Sequence, residues 1–255
     1  MRLIIGYNGL VGKTITSQEK FDYYFNSGNI NNFSEVCQDG DELFLSCLPA
    51  SKWLVNKDPL KDLKNMVNIV ETIAPYQFSK VTLISTIDVY NGMQQGSTED
   101  SAIEPTILTY GSNRYLFEQM VQTLIKTTDL KIFRLPALFS KDIKKNVLYD
   151  LLNSNMVENI SIASKYQWYN LEYLSRDIAK YSNEYPQRST YNLFSEPLET
   201  IEIVKLFPQY SLDAFSTKQE VEYDYRTVLS QDGYIYTKES VLQDIKTLVD
   251  EVSSK

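Results

Sequence analysis

Tyr110 and Arg114 stand four residues apart at the head of the run Thr109-Tyr110-Gly111-Ser112-Asn113-Arg114-Tyr115-Leu116-Phe117-Glu118. Leu116, Phe117, Met120, Val121, Leu124 and Ile125 follow at the i, i+3, i+4 spacing of an amphipathic helix, so the phenol and the guanidinium share one face about one turn apart. A phenol is a poor acid, with a pKa of about 10, and a cation held beside it favours phenolate and brings proton transfer toward neutral pH. The pair is therefore a candidate for general acid/base chemistry. With 19 tyrosines in the chain the spacing also arises by chance, and an ordinary helix-start tyrosine beside a solvated arginine is the competing reading.

Composition narrows what else can do such work. Histidine is absent, which removes Ser-His-Asp triads, Cys-His pairs and histidine-bearing zinc sites and leaves Tyr, Lys, Asp and Glu for acid/base roles. Cys37 and Cys47 lie near apolar segments without metal-ligand spacing, so they are expected reduced and structural, and no metal is expected. A net charge of -8 argues against a nucleic-acid partner. With no run of 18 apolar residues and no signal-peptide pattern, the expectation is a soluble, cytoplasmic protein without a membrane partner. The 255 residues, 43% of them hydrophobic, suffice for one large domain or one domain with a small appendage.

The elements that must position Tyr110 begin at the N-terminus. Arg2 to Gly6 reads as a short buried strand ending at glycine, and Gly6-Tyr7-Asn8-Gly9-Leu10-Val11-Gly12-Lys13-Thr14 leads into a helix. Glycines at this spacing permit a tight turn, close approach of backbone to a pyrophosphate and close helix-to-strand packing, with phosphates at the helix N-terminus. The rivals are a glycine-rich turn without ligand and a nucleotide-triphosphatase P-loop ending in Gly12-Lys13-Thr14. That second motif needs glycine where Tyr7 stands.

Phe21 to Phe25 is the next strand candidate. It ends in Asn26-Ser27-Gly28, without the acid that would bind the adenosine ribose of NAD, which leans toward NADP with Lys13 as a candidate phosphate partner. Further strands are expected over 42 to 48, turning out at Pro49-Ala50-Ser51, over 81 to 84, over 131 to 135 and over 189 to 193. Helices are expected over 60 to 74, with Leu63, Met66, Val67, Val70 and Ile73 as the apolar side, and over 147 to 152, 175 to 182, 200 to 207 and 239 to 252. The alternation predicts an α/β fold with a doubly wound parallel sheet. In such a sheet Thr86 and Asp88, at the end of the strand before them, arrive in the same crevice as the glycine turn.

In this order the segments resemble the extended short-chain dehydrogenase/reductase family, the NAD(P)-dependent nucleotide-sugar epimerases, dehydratases and reductases. Gly6-x-x-Gly9-x-x-Gly12 matches its dinucleotide turn, and Ser85-Thr86-Ile87-Asp88-Val89-Tyr90 looks like its Ser-(Ser/Thr)-x-x-Val-Tyr stretch. Thr98-Glu99-Asp100, Glu104-Pro105 and Tyr110-Gly111-x-Asn113-Arg114-x-x-x-Glu118 are similar to its Glu-Asp, x-Pro and Tyr-Gly-x-Ser-Lys-x-x-x-Glu elements. Phe133-Arg134-Leu135-Pro136 resembles the strand before its nicotinamide-facing loop, and Thr190-Tyr191-Asn192-Leu193 its substrate-domain Tyr-Asn element.

The resemblance implies a Rossmann-type domain over 1 to 140 and a small C-terminal substrate-binding lobe over 141 to 255, partly interleaved with it. It implies catalytic roles for Thr86, Tyr110, Arg114 and Asp88. NADP or NAD, with NADP slightly favoured, is expected against Gly6, Asn8, Gly9, Leu10, Val11, Gly12, Asn26, Leu48, Pro49, Ser85, Tyr110, Arg114 and Pro136. It further implies a nucleotide-sugar-like ligand and a homodimer through helices 60 to 74 and 112 to 126.

Two departures stand out. Arg114 occupies the family's lysine position and Asn113 its serine. A guanidinium keeps the charge but is larger, planar and permanently protonated. Ile87 replaces a second acid used by some dehydratases, which makes full dehydratase chemistry the less favoured outcome. The expected function is an NAD(P)-dependent oxidoreductase or epimerase, and the alternative is a non-catalytic NAD(P)-binding sensor or scaffold on the same fold.

Overall fold

The computed structural model describes residues 1–104, 108–218 and 221–253, so Pro105 of the Glu104-Pro105 pair lies outside the described residues. The first half of the chain runs β1 (Arg2–Ile5), α1 (Leu10–Gln18), β2 (Tyr23–Phe25), α2 (Phe33–Val36), β3 (Glu42–Leu45), α3 (Lys52–Lys57), α4 (Pro59–Ile73), β4 (Gln77–Phe78), β5 (Lys80–Thr86) and α5 (Tyr110–Leu124). There follow β6 (Lys126–Thr127), β7 (Leu130–Leu135), β8 (Ala137–Phe139), α6 (Val147–Asn153), β9 (Lys165–Tyr166) and β10 (Trp168–Asn170). The chain closes with α7 (Leu174–Glu184), β11 (Thr190–Asn192), β12 (Leu198–Glu199), α8 (Thr200–Val204) and α9 (Lys238–Ser253).

Six strands form one parallel sheet in the order β11-β7-β5-β3-β1-β2, the Rossmann-type arrangement that the alternation of elements predicts. Strand β1 reads as an unbroken apolar run because both its faces are covered: Leu3, Ile4 and Ile5 are all buried. Beneath the sheet the core joins Leu3, Leu43, Leu45, Val81 and Leu83 to Met66, Val70 and Ile73 of α4 and to Phe117 and Val121 of α5.

The chain divides into two compact units. The first comprises 1–93, 100–134 and 174–191, the second 94–99, 135–173 and 192–255. The second unit has its own core, in which Phe139, Leu148, Trp168, Leu198 and Ile203 pack with Val241 and Ile245 of α9. Two-stranded pairings, β8 with β10 and β9 with β12, organise it. Among the described residues no helix is long and apolar enough to cross a membrane.

The helices that flank the sheet differ from the sequence expectation in which residues they bury. On α4 the buried stripe is Asp62, Met66, Ile69, Val70 and Ile73, while Val67 is exposed. On α5 it is Tyr110, Gly111, Asn113, Arg114, Phe117, Glu118 and Val121, while Leu116 and Leu124 are exposed. Polar groups are held on the inner face by specific bonds, Asp62 to Asn113 and Arg114 and Glu118 to Arg134.

Candidate active site

Strand β1 stops at Gly6, whose φ of +99° suits glycine and whose added Cβ would lie 2.4 Å from the Ser46 carbonyl oxygen. A Cβ on Gly12 would lie 2.1 Å from the Gly6 carbonyl oxygen, so both glycines are required for α1 to sit against the end of β1. Gly9 is the N-cap of α1, and no side chain caps that end and no acid lies in its first turn. The first N–H groups of a helix have no partner within the helix, and they carry its positive pole. An uncapped first turn at a glycine-lined strand end fits the pyrophosphate of a dinucleotide.

A cavity of about 1120 Å³ opens beside this turn, lined by Gly6, Asn8, Asn26, Ser27, Cys47 and Pro49 and continued along Lys57, Asp58, Lys61, Asp62 and Asn65. Four of the expected cofactor residues, Gly6, Asn8, Asn26 and Pro49, thus share one wall. Asn26 is also the hinge of its own turn, its Oδ1 accepting from Gly28 N at 2.7 Å. Leu10 and Val11 lie in the first turn of α1. Leu48 packs against the hydrophobic core, and the Ser85 hydroxyl donates inward to Glu118 Oε1 at 2.5 Å. Lys13 points from α1 into solvent, and the lysines on the cavity wall are Lys57 and Lys61. Pro136 follows β7 and belongs to the second unit.

The proposed acid/base residues meet where β5 ends and α5 begins. Thr86 Oγ1 accepts from Asp88 N and donates to Asp88 Oδ2, both at 3.2 Å. Asp88 Oδ1 accepts from Lys52 Nζ at 2.5 Å. Helix α5 starts in a capping box formed by Thr109 and Ser112. Its first turn lies directly on Asp88, since a Cβ on Gly111 would be 2.0 Å from the Asp88 carbonyl oxygen. The Tyr110 backbone N–H is taken by Asn56 Oδ1 of α3 at 2.8 Å.

Arg114 lies across the Tyr110 ring, its Cζ 4.5 Å from the ring centroid. Its fork is occupied by Asp62, with Nη1 donating to Oδ2 at 2.7 Å and Nη2 to Oδ1 at 3.1 Å, and Nη2 also donates to the Pro49 carbonyl at 2.7 Å. Asn113 Nδ2 adds bonds to Asp62 Oδ2 at 2.9 Å and the Pro59 carbonyl at 3.0 Å. One turn further, Glu118 accepts from Arg134 Nε at 3.0 Å and Nη2 at 2.6 Å, which anchors α5 on β7.

Arg114 acts on the Tyr110 phenol in the expected direction, but burial outweighs it. Desolvation pushes the phenol above its ordinary value; Arg114 pulls the other way, Asp88 adds to the rise and Lys52 opposes it. The low-dielectric setting outweighs the cation because it disfavours phenolate whatever stands nearby. Burial likewise pushes the Cys47 thiol up to about 12, which leaves it an inert wall of the cavity.

Three residues of this cluster escape sequence reading: Lys52, Asn56 and Asp62. Helix α3, which carries the first two, has six residues and shows no full hydrophobic period. Asp62 did leave a trace, since it stands four residues before Met66 on the stripe that α4 buries.

No protein-family model matches the chain, and no curated protein matches its sequence. Solved structures do match its fold. MoeE5 in complex with UDP-glucose and NAD superposes with a TM-score of 0.74 at 11% identity, covering 98% of this chain and 97% of that one. A dTDP-4-dehydrorhamnose reductase from Clostridium acetobutylicum gives 0.72 at 16% identity over 99% and 100% of the two chains. A UDP-galactose 4-epimerase gives 0.72 at 12% identity over 100% and 99%. At these identities it is the architecture that is shared: the chain has the Rossmann-type α/β fold common to these nucleotide-sugar-related structures.

Proposed function

We propose that this chain is an NAD(P)-dependent oxidoreductase or epimerase of a nucleotide-activated sugar, acting in the cytoplasm, with Tyr110 as its acid/base. The observation that carries the reading is the uncapped glycine turn of α1 in the same unit as Thr86, Asp88 and Tyr110. The fold is that of structures whose names include a nucleotide-sugar complex, a reductase and an epimerase.

Gly6, Gly9 and the first turn of α1 would hold the pyrophosphate, and Asn8, Asn26 and Pro49 of the cavity lining would face the dinucleotide. The nicotinamide supplies hydride chemistry when bound. Tyr110 Oη gives a proton to the substrate carbonyl oxygen, or takes one from the hydroxyl, and Thr86 Oγ1 steadies that oxygen by turning its hydroxyl hydrogen from Asp88 Oδ2 to the substrate. Asp88 orients Thr86. Lys57 and Lys61, set among Asp58, Asp62 and Glu71 in the cavity lining, are the candidate charge partners of an NADP 2'-phosphate. The second unit is the substrate-binding lobe.

A non-catalytic dinucleotide-binding sensor or scaffold is the second reading, favoured by the full commitment of Arg114 to Asp62 and Pro49. Fluorescence titration with NADH and NADPH, followed by turnover of nucleotide sugars by wild type and Tyr110→Phe, separates the two. We expect tighter binding of NADPH, turnover by wild type, and a loss of about 100-fold or more in Tyr110→Phe with binding retained. Dinucleotide binding with no turnover of any nucleotide sugar selects the sensor; no dinucleotide binding sinks both readings.

A further inference from the structure

Among the described residues, the charged groups that act on Tyr110 are Lys52 of α3, Asp88 beyond β5 and Arg114 of α5 itself, and Asp62 of α4 fills the fork of Arg114. Three of them are sealed in, with side-chain exposures of 3% for Asp62, 5% for Arg114 and 8% for Asp88, against 50% for Lys52. Arg114 cannot be the adjustable charge of this group. Its guanidinium does not lose its proton, and turning it away would strand Asp62 as a buried, unpaired carboxylate.

Lys52 is placed by a specific tether. Lys52 and Asn56 are four residues apart on α3 and so share a helix face, and Asn56 takes the backbone N–H of Tyr110 at 2.8 Å. The helix that carries the ammonium is thus docked on the residue that carries the phenol. From that seat Lys52 Nζ reaches Asp88 Oδ1 at 2.5 Å, and the other carboxylate oxygen holds the Thr86 hydroxyl.

We propose that Lys52 is a positioning residue of the Tyr110 centre: it balances the charge of Asp88, holds that carboxylate against Thr86, and through it governs how readily the Tyr110 phenol gives up its proton. Two cations act on the Tyr110 phenol from different settings. Arg114 builds the interior wall, and Lys52 supplies a cation at the water-facing mouth. Without Lys52 the buried Asp88 carboxylate loses its ammonium partner, and a second negative charge beside it on Tyr110 costs more. Burial holds the phenol high, Arg114 is the larger cation opposing it, Asp88 adds to the rise and Lys52 opposes it, which agrees in sign for Lys52.

The inference rests on Tyr110 being the acid/base group, but its test needs neither substrate nor dinucleotide. Place 3,5-difluorotyrosine at position 110, where the fluorines make the phenol a stronger acid, and follow its ionisation by 19F NMR in the free protein. Lys52→Met should raise the pH of ionisation by about one unit. Lys52→Arg should restore it, and Lys52→Met combined with Asp88→Asn should bring it back down, because charge balance is regained. A merely structural lysine would give none of this pattern.

An unmoved ionisation in folded Lys52→Met, or one that Lys52→Arg fails to restore, overturns the proposal. The half-exposed position of Lys52 makes folding of the variants a fair expectation, and circular dichroism of the same samples checks it. Titrating those samples with NADH and NADPH tests the dinucleotide reading separately, so the two ideas fail by different readouts.

Discussion

The Asp62–Arg114 pair shows how one side chain changes the meaning of its neighbours. Arg114 brings a planar fork, and the fork is matched by a carboxylate on α4 and the Pro49 carbonyl in the loop after β3. An ion pair at this depth adds little net stability over apolar replacements, yet removing one partner leaves the other charge buried alone. Asp62→Asn should therefore destabilise the fold by about 3–5 kcal/mol, read as a lower urea midpoint. Joining it to Arg114→Met should recover most of that loss, since the stranded charge goes with its partner. A double variant no more stable than Asp62→Asn would show that the fork holds the site by shape rather than by charge.

At the scale of elements, the glycines separate packing from binding. Gly111 lets the first turn of α5 lie on Asp88, and Gly111→Ala forces that turn away from a backbone atom 2.0 Å from its Cβ. The expected cost is about 1–3 kcal/mol in thermal or urea unfolding, with Tyr110 displaced along with the first turn of α5. Gly9→Ala meets only the Gly6 carbonyl at an ordinary 3.5 Å, so it should melt like wild type and lose affinity for NADPH by titration. Equal stability losses in the two variants would contradict this division.

The same scale explains what was legible in the sequence. Helices α4, α5 and α9 span 15 or 16 residues and show several hydrophobic periods, and β1 is a closed apolar run, so their places could be read. The orientation of α4 and α5 could not, because Asp62 bonds to Asn113 and Arg114 inside, Glu118 bonds there to Arg134, and all four read as surface residues in a linear pattern. Helix α3 was hidden by its brevity. Its contribution to the site is made by contacts more than 30 residues distant in sequence, Lys52 with Asp88 and Asn56 with Tyr110, which no local pattern encodes.

For the whole molecule, the face that α4 and α5 turn outward poses the remaining question. Leu60 and Val67 are seven residues apart on α4, and Leu116 and Leu124 are eight apart on α5; their exposures are 57%, 36%, 39% and 51%. The helices already cover the sheet with their inner stripes, so these side chains are not needed by the core. A two-fold pairing would bring the same patch of each copy together and double the apolar contact that one chain offers. We therefore expect light scattering to give twice the 29.5 kDa chain mass. The combination of Val67→Glu and Leu116→Glu should return the single-chain mass, because two carboxylates per copy would then face each other across the axis without disturbing Met66 or Phe117 beneath. A single-chain mass for the wild type at high concentration would leave the outer face of α4 and α5 as bare surface and remove the dimer from the account.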